Sequence, residues 1–90
     1  MKPKRYVYLL EFYQLDVRKN QFYCYRKEMY SSWNAGADMI NEVIRINQGR
    51  SQSTESTDNR LEVTHTSSAN TEHRAIRLRL ILERYEIKTY

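Results

Sequence analysis

The one thiol and two imidazoles of this 90-residue chain, Cys24, His65 and His73, are the groups best suited to pairing as nucleophile and base or to gripping a zinc ion. A thiolate beside an imidazole makes a nucleophile–base pair, and the same groups are zinc ligands. The spacing argues against both uses. Zinc sites draw their ligands in closely spaced pairs, whereas here one cysteine stands alone and the histidines are eight residues apart, with no clear fourth ligand. Cys24 lies in a run of strand formers, QFYCYR, where a free cysteine packs as a small apolar side chain. Both histidines are read as surface residues of a second hairpin.

Phosphate-cradling loops need more glycine than Gly36 and Gly49 supply, and the nucleophile-elbow and zinc-helix patterns are absent. The expectation is a non-enzyme with no catalytic residue, cofactor, metal or small-molecule substrate.

The other chemistry on offer is recognition. Ten of the fifteen basic residues are arginine, whose planar fork meets phosphate, carboxylate and aromatic rings better than lysine does. Eight tyrosines accompany them, and the formal charge is +4. With a pI of about 9.3, the chain permits an anionic partner without the dense cation clustering of dedicated nucleic-acid binders.

Ninety residues hold one hydrophobic core, so residues 1–90 are read as a single small domain. A lone cysteine rules out an intrachain disulfide and fits a reducing compartment, so the cytoplasm of a cell or an infected host is expected. The N-terminal MKPKRYVYLLEFYQ lacks the long apolar run and small-residue cleavage site of a secretory signal, and no segment reaches the roughly 20 apolar residues of a membrane helix.

The elements that must position these groups follow from periodicity. RYVYLLEFYQL (5–15) and QFYCYRKEMY (21–30) are rich in strand formers, and the polar DVRKN between them ends in Asn20, which tolerates the left-handed conformation a hairpin loop needs. A three-residue loop, Arg18–Asn20, sets Tyr13 opposite Tyr25, Glu11 opposite Lys27 and Leu9 opposite Met29. It sorts Tyr8, Leu10, Phe12, Phe22 and Cys24 to a core face, with Arg26 and Glu28 at its rim.

SSWNAGADMINEVIRINQG predicts an amphipathic helix of about 15 residues, capped by Ser31 or Ser32 and closed by Gly49. Its core-facing stripe is Trp33, Ala37, Ile40, Val43, Ile44 and Asn47. Trp33 is read as packing on the sheet rather than as an exposed anchor, and Gly36 marks a close helix–sheet approach. RSQSTESTDN (50–59) has no apolar residue and reads as a polar flexible loop. RLEVTHT (60–66) reads as a short strand with Leu61 and Val63 on one side, followed by a polar turn, SSANTE.

AIRLRLILERYEI (75–87) decides the architecture. As a strand it places Ile76, Leu78, Leu80 and Leu82 on one face and Arg77, Arg79, Ile81 and Glu83 on the other; a helix would leave a second apolar ridge exposed. The fold class is therefore α+β: a four-stranded antiparallel sheet, β-β-α-β-β, with one helix packed on one face.

The opposite face becomes the candidate partner-binding surface, displaying Tyr13, Tyr23, Tyr25, Lys27, Arg77 and Arg79. Val7, Leu9, Leu15 and Ile81 share it, making a contiguous apolar-aromatic patch of the kind that partners cover. Aromatic rings and arginines are the residues of interface hot spots. The leading expectation is a non-catalytic protein-binding module: an inhibitor or adaptor docking onto a larger acidic or nucleic-acid-processing assembly, or a homodimer. Small phage- and plasmid-encoded inhibitors offer an analogy of size and build alone. The alternative is a nucleic-acid binder using tyrosine stacking and Arg/Lys–phosphate contacts. Against both stands a plain solvated face, since strand propensity by itself enriches tyrosine, and an enzyme ranks a distant third.

Overall fold

The computed structural model describes residues 4–69 and 74–88. Strands β1 (Arg5–Asp16) and β2 (Gln21–Tyr30) form the first hairpin, helix α1 spans Trp33–Ile46, and β3 (Gly49–Ser56), β4 (Arg60–Ser67) and β5 (Arg77–Ile87) follow. The strands make one sheet in the order β2-β1-β5-β4-β3, and every neighbouring pair is antiparallel. The class is α+β as expected, but the sheet has five strands, not four.

The additional strand is β3, in the segment read as a flexible loop. Its eight residues are all exposed, so it needs no apolar side chain and leaves no hydrophobic signal. Its backbone pairs with β4 from Gly49↔Ser67 to Ser56↔Leu61.

One face of the sheet carries the core. Leu10 and Phe12 of β1, Val63 of β4 and Leu80 and Leu82 of β5 are buried with Ile40 of α1. Leu78 joins the buried set, whereas Ile76 precedes β5 and is exposed. Alternation in β5 therefore does what a period of two requires: every second residue from Leu78 to Leu82 is buried against the helix side.

Ser32 caps α1, its hydroxyl accepting from the Ala35 amide at 3.2 Å. The helix ends at Asn47, not at Gly49; Gly49 instead opens β3 with φ 134°, where a Cβ would lie 2.1 Å from the Thr66 carbonyl oxygen. Trp33 packs on the core and meets Tyr8 edge-on, ring centroids 6.2 Å apart. Gly36 is buried against Leu82, and a Cβ there would lie 2.6 Å from Leu82 Cδ1.

His65 corrects the surface reading. It is fully buried in β4 on the helix side. The Asn47 carbonyl oxygen can only accept, so His65 Nε2–H donates to it at 3.1 Å, and His65 Nδ1 accepts from the Ser51 hydroxyl at 2.5 Å. The ring thus ties the end of α1 to β3 and β4. His73 and the second half of the SSANTE turn, residues 70–72, lie outside the described residues, as do the first three residues of the chain.

Candidate functional site

The hairpin that feeds the open face has a kink in its register. From Tyr8↔Tyr30 to Phe12↔Arg26 the pairing is the expected one, with Leu9↔Met29 and Glu11↔Lys27. Beyond a bulge it becomes Tyr13↔Cys24, Gln14↔Tyr23, Leu15↔Phe22 and Asp16↔Gln21. Two local demands conflict. The Asp16 carboxylate accepts from the amides of Arg18 and Lys19 at 3.0 and 3.3 Å, which closes the hairpin directly after Asp16 with Val17–Asn20 as the loop and Asn20 at φ 52°. The far end keeps the register that buries Leu10 and Phe12. One extra residue, Tyr25, absorbs the difference.

A one-residue shift exchanges faces. Tyr23 and Tyr25, expected on the open face, lie on the helix side of the sheet, at a corner where they remain exposed. Tyr25 tilts against Phe12 with centroids 6.1 Å apart. Phe22 and Cys24, expected in the core, take their place on the open face, both half-buried. Of the six predicted partner residues, the structure brings Tyr13, Lys27, Arg77 and Arg79 onto one face and separates Tyr23 and Tyr25 from them.

Tyr13 and Lys27 are engaged within the protein. Both reach Glu11: the Tyr13 hydroxyl donates to its carboxylate at 3.0 Å, and Lys27 Nζ lies 3.5 Å away. Burial, then the hydrogen bond to Glu11, pushes the Tyr13 hydroxyl pKa up.

The apolar patch is not contiguous. Val7, Leu9, Met29 and Tyr85 gather at one end of the face, with Met29 68% exposed. Leu15 pairs with Phe22 at the other. Between them runs a charged row in which Lys27, Glu11, Ile81, Glu62 and Glu55 are successive cross-strand neighbours. Arg60 bonds Glu55 and Glu62 at 2.8 and 3.0 Å and lies 3.8 Å from Glu83. Burial opposes the Arg60 charge, but hydrogen bonding to Glu55 and the surrounding carboxylates outweigh it and raise its pKa.

The arginine end is different. Arg50, Thr66 and Arg77 are in register across β3, β4 and β5, and Arg79 stands two residues along from Arg77 in a row with Tyr13, Thr64 and Gln52. All of these side chains except Tyr13 line, with Phe22, an open groove on the sheet. Strand geometry sets the Cα atoms of Arg77 and Arg79 about 7 Å apart and those of Arg50 and Arg77 about 10 Å apart. Among the described residues none of the three arginines has a carboxylate partner. Arg79 lies over the Phe22 ring, 4.2 Å from its centroid, and its Nε is buried without a hydrogen-bond partner.

Sequence reasoning missed Phe22 and Arg50. The cross-strand position of Arg50 had no signal once its strand was read as a loop, and Phe22 changes face only through the bulge. The groove offers a cationic fork geometry, one aromatic support and the hydroxyls of Thr64 and Thr66. That set has the charge and hydrogen-bonding geometry suited to an anion. Among the described residues there is no cluster of three metal-ligating side chains, and no helix is long and apolar enough to cross a membrane.

Comparisons with family models, curated proteins and solved structures gave no match to this chain.

Proposed function

We propose that this protein is a non-catalytic binding module that docks the arginine end of its open sheet face onto an acidic surface of a protein partner, as an inhibitor or adaptor would. The observation that carries this reading is a contrast between arginines on one face. Arg60 is flanked by Glu55, Glu62 and Glu83, whereas Arg50, Arg77 and Arg79 line the groove with no carboxylate among the described residues. Unpaired guanidinium groups held at fixed strand spacings favour bidentate carboxylates on the partner. The apolar end, Val7, Leu9, Met29 and Tyr85, supplies further area to bury at the same interface.

The competing reading, a nucleic-acid binder, loses its stacking platform. Tyr23 and Tyr25 face away from the arginines, Tyr13 is tied to Glu11, and one side of Phe22 is covered by Arg79. Stacking of successive bases requires open rings beside the cationic track.

Fluorescence polarisation with a labelled acidic peptide and with labelled single-stranded and duplex oligonucleotides, each at low and high salt, separates the two. Binding of the peptide in preference to both oligonucleotides is expected. Preferential, steeply salt-sensitive binding of either oligonucleotide would replace this reading with the nucleic-acid one.

A further inference from the structure

We infer that the acidic partner presents an extended segment that adds to the outer edge of β3 as a sixth strand; this rests on the acidic-partner reading above and specifies its geometry. The two edges of the sheet are unequal. β2, at one edge, carries the Tyr25 bulge and the consecutive charges Arg26, Lys27 and Glu28. Bulges and charged side chains are the devices that blunt an edge against pairing. β3, at the other edge, pairs with β4 alone, and from Gly49 to Ser53 its register is unbroken. That run, GRSQS, contains neither proline nor lysine, and the β3 irregularity comes only after it, between Ser53 and Glu55.

Side chains on this run are divided usefully between the faces. Ser51 turns to the helix side and is held by His65. Arg50 and Gln52 turn to the open face and line the groove with Arg77 and Arg79. An incoming strand would therefore make main-chain hydrogen bonds along Gly49–Ser53 and lay every second side chain, about 7 Å apart, beside the cationic groove. Acidic residues at alternate positions match that repeat, and the positive charge next to this edge, which has no carboxylate partner among the described residues, selects such a segment over a neutral or basic one.

The test uses the full chain and a labelled peptide of about ten residues alternating glutamate and threonine, a typical strand length or slightly more. Two further versions carry N-methyl groups on alternate backbone nitrogens, one set on each edge of the peptide. Strand addition uses one edge of the peptide only, so one methylated version is expected to lose about tenfold in affinity and the other to bind like the parent. Hydrogen exchange at amides within Gly49–Ser53 is expected to slow when the parent peptide binds.

Equal binding by all three peptides with no protection of β3, together with weakened binding by Arg50→Ala, would overturn strand addition while leaving the acidic-partner reading in place. Absence of peptide binding at low salt would overturn both. Concentration-dependent protection of β3 without peptide would assign the edge to a second copy of this chain and overturn the inference.

Discussion

Arg79 lies over Phe22 with its guanidinium carbon 4.2 Å from the ring centroid, and the two meet only because β2 carries one residue more than β1 between Phe12 and Tyr13. The bulge thus puts an aromatic support beneath a cation whose Nε has no hydrogen-bond partner. Replacing Phe22 by leucine is expected to keep the fold, remove a cation–π contact of about 1 kcal/mol, and weaken acidic-peptide binding several-fold. Tyr23→Ser, one position away on the other face, is expected to leave affinity unchanged. Fluorescence polarisation reads both.

The three groove arginines and Arg60 should separate into two kinds of effect. Arg50→Ala, Arg77→Ala and Arg79→Ala are each expected to reduce affinity and to flatten its salt dependence, the first two with little change in melting temperature and Arg79→Ala with a drop of a few degrees from the lost contact with Phe22. Arg60→Ala should leave binding nearly intact and lower stability by about 1 kcal/mol, since partly exposed ion pairs contribute little singly but this one holds three carboxylates together. Thermal melts beside binding isotherms distinguish them. Loss of binding in Arg60→Ala at unchanged stability would move the interface to the middle of the face.

Gly36 permits the approach of α1 to β5. Gly36→Ala gains roughly 1 kcal/mol of helix propensity but sets a methyl 2.6 Å from Leu82 Cδ1, and overpacking of a buried site costs about 1–3 kcal/mol. Net destabilisation is expected by urea unfolding. Pairing it with Leu82→Val, which shortens the opposing side chain, should recover part of the loss; strict additivity of the two substitutions would show that the contact is not the cause.

His65→Ala should destabilise the protein by about 2–4 kcal/mol, because it opens a cavity and leaves the Asn47 carbonyl and the Ser51 hydroxyl without their partner. The β3 amides are expected to exchange faster than those of β1 in this variant. A uniform increase across the sheet would deny His65 a specific role in holding β3.

Tyr30 titrates late. Burial, then its hydrogen bond to Glu28, raises its pKa from 10.0 to about 12. A folded-state value above the unfolded one means the neutral hydroxyl is favoured in the native state, so this contribution is complete below pH 10 and disappears as pH climbs toward 12. Tyr13, Tyr25 and Tyr85 are also raised, so tyrosinate absorbance during a pH titration should show a late-ionising group of residues that loses its latest member in Tyr30→Phe. That variant should also lose part of the downward shift at Glu28, whose carboxylate is favoured first by the Tyr30 hydroxyl and then by Arg26.

The sequence by itself determined the elements whose causes are local. Alternation made 77–82 a strand with its leucines inward, the Trp33–Ile44 stripe made a helix, the Ser31–Ser32 pair marked its start, and Asn20 supplied the left-handed turn residue. Each depends on residues a few positions apart. The tertiary structure decided the rest. The bulge at Tyr25 reconciles an Asp16 turn at one end of the hairpin with a core register at the other, and neither end alone contains it. β3 is held by backbone pairing to β4 at an edge that buries nothing, so no hydrophobic period announces it. His65 is buried because its two partners arrive from α1 and β3, 18 and 14 residues back in the chain. The groove depends on both non-local events, one delivering Phe22 and the other Arg50 to Arg77 and Arg79.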